Sequence, residues 1–286
     1  MPALRSAAFQ AAGPLASSRP LSRRLVVTES PANRQPPTAN SSDQPPTANR
    51  AAAWAVHLYT ASGIVFAMLA TLEICRDVPD PRMVFLWLTI AVLVDATDGP
   101  LARRVHVKVV LPHISGRTID DIVDFLTFTF IPMLLVARLE WVPRPVLLFV
   151  APALIASLLG FANSGAKDES GGFFLGFPSY WNIIAFYLGI SAAHGWVVFN
   201  GIVVLVLAAL TVMPVGFIYP NLAPPRWKLA ILLGAAVWLV MVVAMVPAYP
   251  RPSLWLVAAS LVYPVFYTAV SLWEYSRYKR HRQVEA

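Results

Sequence analysis

From Ala51 onward the chain is a succession of long apolar runs separated by short polar breaks. The runs lie near 52–74, 83–99, 118–138, 145–163, 180–194, 197–217, 229–248 and 252–273. Most approach the about 20 residues that a helix needs to cross a hydrocarbon core. The pattern therefore predicts an all-α integral membrane protein with about eight transmembrane helices. The fifth and sixth runs are separated only by His194-Gly195-Trp196. Residues 1–50 are different in kind: they hold 8 of the 25 prolines, no Trp or Tyr, and the hexapeptide QPPTAN twice. Such a segment buries too little apolar surface to offset its ordering entropy and is read as a disordered cytoplasmic tail. Its first 28 residues lack acids, as transit peptides do, but the amphipathic pattern is poor. The Ser22-Arg23-Arg24 run is not followed by the long apolar region of a twin-arginine signal.

Composition supports the membrane reading. Only 13% of the 286 residues are charged and the mean hydropathy is +0.62, against about 25% charged in an average soluble domain. A single cysteine, Cys75, rules out an intrachain disulfide or a cysteine-built zinc site. The net charge of +7 would suggest nucleic acid in a soluble protein. With the amino terminus inside, however, 17 of the 22 Lys and Arg fall in the cytoplasmic segments 1–50, 100–117, 164–179, 218–228 and 274–286. The positive-inside rule then explains the charge without a nucleic-acid partner and places both termini in the cytoplasm. The domain reading is a tail over 1–50, a transmembrane domain over 51–275 and a basic tail over 276–286. The last carries Arg277, Lys279, Arg280 and Arg282 to an anionic inner leaflet.

Acids are scarce, 15 in all, yet Asp95, Asp98, Asp120, Asp121 and Asp124 gather at the cytoplasmic end of the second run and the start of the third. Carboxylates at membrane depth are costly, so such a cluster is read as a functional site rather than a solvated loop face. Asp95 and Asp98 are three apart, and Gly116, Asp120 and Asp124 recur every four, so each set forms one stripe on a helix. A hairpin across 104–115 brings the stripes together. Facing carboxylates repel unless a cation lies between them. With no cysteine or histidine on either stripe, the donors are hard oxygens, which suits one or two Mg2+ or Mn2+ ions and points to phosphoryl chemistry. Gly99 and Gly116 leave room for a bulky phosphate-bearing ligand, and Arg103 offers a guanidinium to it.

The run Asp95-Ala-Thr-Asp98-Gly99-Pro-Leu-Ala102-Arg103, followed by Gly116, Asp120 and Asp124, resembles the signature of the CDP-alcohol phosphatidyltransferases at all eight of its positions. Most members place about seven or eight residues between the Arg and the second Gly; here there are twelve, 104–115. That spacer, the stretch Phe173–Asn182 and the span count resemble the bacterial phosphatidylcholine synthases. Together these similarities cover about 51–273 and leave the tail unexplained.

The resemblance implies a cytoplasmic-edge active site that condenses CDP-diacylglycerol with choline to give phosphatidylcholine and CMP, in a bacterial inner membrane. It implies that Asp95, Asp98, Asp120 and Asp124 hold a pair of divalent cations, that Asp124 is also the general base, and that Gly99, Ala102, Arg103 and Gly116 line the cytidine-diphosphate pocket. Members are often homodimers. Asp121 stands outside the signature and is read as a solvated or supporting carboxylate, because its side chain points about 100° away from Asp120.

Choline carries a quaternary ammonium, which aromatic faces bind. Tyr180 and Trp181 are read either as part of such a cage or as an interfacial aromatic belt. Asn182 is read as a ligand contact or a helix-end contact. His57–Thr60 near the cytoplasmic edge offers either a nucleotide contact or helix packing through Thr60. Cys75, His194 and His281 are assigned no chemistry. A serine or other alcohol acceptor is the nearest alternative; Asp168 and Glu169 beside Lys167 suit a cationic acceptor better than a phosphorylated one. A cation transporter would need polar residues to continue through the later spans, which contain almost none.

Overall fold

The computed structural model describes residues 49–285 apart from 164, 166, 169 and 170. The proline-rich tail, except Asn49 and Arg50, lies outside the described residues, as do Glu169 and the side chains of Lys167, Asp168, His281 and Arg282.

Asn49 opens the first helix, α1 (Arg50–Ala61), by accepting the Ala52 N–H on its side-chain carbonyl at 3.2 Å, which satisfies one orphan donor of the first turn. Beyond Ser62 the chain continues as α2 (Gly63–Ile74). Asp80 caps α3 (Pro81–Arg104), accepting from the Arg82 N–H at 3.0 Å, with Pro81 at a first-turn position where its missing N–H costs nothing. After the short α4 (Val107–Val110), α5 (Gly116–Asp124) begins at a Ser115 cap. It runs through a π-helical stretch, Phe125–Phe130, into α6 (Ile131–Arg138). The remaining helices are α7 (Leu147–Ala162), α8 (Trp181–Ala193), α9 (Val197–Val212), α10 (Pro225–Met245) and α11 (Leu254–Glu285).

The protein is thus mostly helical, and the predicted runs fall mainly on helix. Among the described residues, four helices are long and apolar enough to cross a membrane: Arg50–Ile74, Pro81–Arg104, Pro225–Ala248 and Leu254–Arg280. The other runs fall on the shorter apolar α7, α8 and α9, and on the 116–138 rod, whose first turns carry Arg117, Asp120, Asp121 and Asp124. α2 packs along α3, α6 on α8, α7 on α9 and α10 on α11. Their core includes Ala67, Ala70, Leu88, Met133, Ala153, Trp181 and Phe186. The buried alanines let helix backbones approach closely, which is how helices gain contact where lipid removes the hydrophobic drive to associate. Leu229, Leu233, Val237 and Val240 on α10, and Val262 and Val265 on α11, are exposed. So much apolar surface is untenable in water and suited to lipid.

The structure corrects the sequence reading in two places. A three-stranded antiparallel sheet, in the order β1 (Lys167–Asp168), β2 (Phe173–Leu175), β3 (Gly216–Ile218), stands where none was expected. Strands of two and three residues are too short to show a period-two pattern. The sixth run, expected to 217, ends as a helix at Val212, because the chain turns into β3. β3 packs on α11. The chain reverses at Gly176 (φ +91°), where the carbonyl of Thr211 lies against the position a Cβ would take.

α10 and α11 are tied at one end by Glu274. It is buried and accepts from Arg226 Nη2 and Nε, at 2.6 and 3.0 Å, and from the Trp227 indole at 2.7 Å. Glu274→Ala is expected to destabilise the protein by about 2–3 kcal/mol, because it strands a guanidinium and an indole N–H. Thermal unfolding in detergent checks this; a melting point equal to wild type would contradict the tie.

Candidate active site

The acidic stripes meet where the end of α3 faces the start of α5. Ser115 accepts the Thr118 N–H at 3.2 Å, which starts α5 at Gly116 and sets its phase. That phase turns Asp120 toward Asp95 and Asp98 on the last turns of α3. Asp98 is buried and the other two are half-buried. One carboxylate oxygen from each of the three lies within 4.8 Å of those of the other two. Asp124 is not in this trio: it stands four residues further along α5, about 6 Å up the helix axis. Its Oδ1 is buried with no hydrogen-bond partner among the described residues.

Beside the trio lies a cavity of about 220 Å3. Asp95, Asp120, Asp121 and Asp124 form one wall. Phe128, Phe174, Phe177, Tyr180, Tyr219 and Tyr267 furnish aromatic surface on others. Asp95 and Asp120 therefore belong to both the trio and the cavity. Asp121, expected to point away from the stripe, also reaches this wall, with the Arg117 Nε 3.5 Å from its carboxylate.

Other expected site residues take distinct places. A Cβ on Gly99 would meet only the Arg103 guanidinium, at 3.4 Å, so that side of α3 is open. A Cβ on Gly116 would approach the His57 ring to 3.1 Å, and Ala102 packs on the apolar cluster of Ala53, Val56, Val107 and Leu111. These two small residues thus admit α1 to close contact with the site elements. His57 is buried there with its Nε2 unpartnered among the described residues. Tyr59 hydrogen-bonds Thr97, within the acidic run, at 2.7 Å. Thr60 donates to the carbonyl of Val56 in its own helix.

Of the three expected choline contacts, the structure brings only Tyr180 to the cavity. Trp181 is fully buried in the core, its indole N–H donating to Ser157 Oγ at 2.7 Å. Asn182 is buried, its Oδ1 accepting from the Ile183 N–H at 2.9 Å. Neither lines the cavity wall. Sequence reasoning missed Tyr219 and Tyr267, which reach the cavity from the end of β3 and from α11. Tyr267 gave one signal, a polar tip in an apolar span; it donates to the carbonyl of Ile218 at 2.6 Å.

The chain aligns with curated relatives. A phosphatidylcholine synthase of Pseudomonas aeruginosa is 36% identical over 237 residues, 80% of this chain and 94% of that one. Those of Bradyrhizobium diazoefficiens and Agrobacterium fabrum are each 37% identical, over 206 and 190 residues. The alignments cover 71% of this chain and 74% of the first, and 65% of this chain and 75% of the second. No family model matches the chain.

Proposed function

Because the chain belongs to the phosphatidylcholine synthase family, we propose that it moves the phosphatidyl group of CDP-diacylglycerol onto the choline hydroxyl, releasing CMP, where α3 meets α5. The observation that carries this reading is the convergence of three carboxylates from two helices on the edge of a small, partly aromatic cavity. The protein is an integral membrane phosphatidyltransferase of phospholipid biosynthesis. Its place in a bacterial inner membrane, with the site and both termini at the cytoplasmic edge, accords with the distribution of Lys and Arg. Assembly as a homodimer accords with the family resemblance.

The donor set fits a divalent cation: three carboxylates with oxygens this close repel one another, and hard oxygens suit Mg2+ or Mn2+. Asp95, Asp98 and Asp120 would hold the metal, with Asp124 within a helical turn for a second ion. A cation bound there supplies positive charge that neutralises the diphosphate and makes its phosphorus easier to attack. The open face at Gly99 and the Arg103 guanidinium accommodate and orient the diphosphate, with Ala102 and Gly116 completing the nucleotide side. Choline enters the cavity, and Asp124 Oδ1 accepts its hydroxyl proton as the oxygen bonds to the phosphatidyl phosphorus. The bridging oxygen of the diphosphate then leaves with CMP.

Membranes containing the expressed protein, given CDP-diacylglycerol, Mn2+ and labelled choline, are expected to form labelled phosphatidylcholine without ATP. Labelling with serine and none with choline would refute the choline assignment and keep the phosphatidyltransferase chemistry.

A further inference from the structure

The cavity is small for a CDP-linked lipid. Pockets for drug-sized ligands are about 300–1,000 Å3, whereas this one is about 220 Å3. Its size suits the acceptor alcohol alone, with the larger donor spread over the open side at Gly99. Its chemistry suits one kind of acceptor. A trimethylammonium group has no N–H to donate, so ring faces and nearby negative charge are what recognise it. Phe128, Tyr180, Tyr219 and Tyr267 supply the rings, while Asp121 and Asp124 supply the charge. Arg117 is the one Lys or Arg in the described lining, and it is turned to Asp121 at 3.5 Å.

The rings are held in place. The hydroxyl of Tyr267 is engaged by the Ile218 carbonyl, and Tyr263 stacks on its ring at 6.3 Å between centroids. Phe128 lies 5.9 Å from Tyr180. Tyr180 is placed by its neighbours on both sides. Ser179 before it adopts a left-handed conformation (φ +55°), which is strained for a non-glycine residue. One buried side chain, Ser157, holds that turn: its Oγ lies 3.0 Å from Ser179 Oγ and accepts the Trp181 indole N–H. With Ser179 and Trp181 both buried, Tyr180 between them remains exposed at the cavity. Trp181 therefore acts as an anchor for the ring beside it.

We propose that Phe128, Tyr180, Tyr219 and Tyr267 form the subsite for the trimethylammonium group of the acceptor, and that the Ser157–Ser179–Trp181 latch sets the position of Tyr180 within it. This rests on the choline reading above. The test replaces Tyr180 in the full-length purified protein by Phe and by mono-, di- and trifluorinated Phe. These side chains have nearly the same shape but progressively weaker ring faces. The KM for choline is expected to climb stepwise across the series, by about 2- to 30-fold in total, while the KM for CDP-diacylglycerol stays constant and reports an intact fold. Tyr267→Phe is expected to keep the choline KM closer to wild type than Tyr267→Leu. Ser157→Ala is expected to raise the choline KM alone, but to add nothing in a Tyr180→Leu background. A wild-type enzyme that uses choline together with a flat fluorinated series would overturn the subsite. Additive Ser157 and Tyr180 effects would overturn the latch. A wild-type enzyme unable to use choline would instead refute the functional reading beneath it.

Discussion

Asp124→Asn is expected to lower kcat by about 100- to 10,000-fold, the range that a positioned general base contributes. Asparagine keeps the shape of the side chain and removes its ability to take a proton. The carboxylate is suited to that task by position: it lines the cavity proposed for the acceptor, stands apart from the trio, and keeps Oδ1 buried without a partner among the described residues. Folding has no reason to suffer. The substitution removes one of five crowded carboxyl groups, so the melting temperature is expected to stay level or rise. The KM for CDP-diacylglycerol is expected to change far less than kcat, which separates loss of a base from loss of donor binding. Near-normal turnover in this variant would refute the assignment.

Asp98→Ala is expected to abolish detectable turnover, a loss greater than about 100-fold, because even groups that merely support a metal ligand are worth about 10- to 100-fold. Asp98 is the most buried of the trio, so no nearby water-exposed group readily replaces it. The same substitution is expected to raise the melting temperature of the metal-free protein. Three carboxylates with an oxygen of each within 4.8 Å of the others store repulsion that a bound cation relieves, and deleting one removes much of it. Adding Mn2+ should therefore stabilise the wild type markedly and Asp98→Ala much less. Chelator-treated wild type should lose activity and regain it with Mn2+ or Mg2+. A metal-free variant less stable than metal-free wild type would argue that Asp98 is a structural group and not a ligand.

The helices and the acidic stripe were readable in the sequence because both are periodic. Asp95 with Asp98, and Asp120 with Asp124, announce themselves by helical spacing, and apolar run length announces membrane helices. Spacing alone could not say that Asp124 would stand outside the trio, since residues four apart share a face but differ in height by a turn. Nor could it separate Tyr180 from Trp181. Two aromatics at the start of a span give the same signal, and only the turn at Ser179, clamped by Ser157 from α7, decides which enters the core. Tyr219 left no signal, and the polar tip of Tyr267 in an apolar span did not give its place, for a different reason: they reach the cavity through the packing of β3 on α11, a contact between distant segments that leaves no local pattern.

The central claim is that the choline oxygen itself attacks the phosphatidyl phosphorus while CMP departs with the bridging oxygen. Choline labelled with oxygen-18 at its hydroxyl, incubated with the purified protein, CDP-diacylglycerol and Mn2+, tests this by mass spectrometry of both products. The label is expected entirely in phosphatidylcholine, with CMP unlabelled. Phosphatidylcholine without the label, or label carried by CMP, would contradict the account.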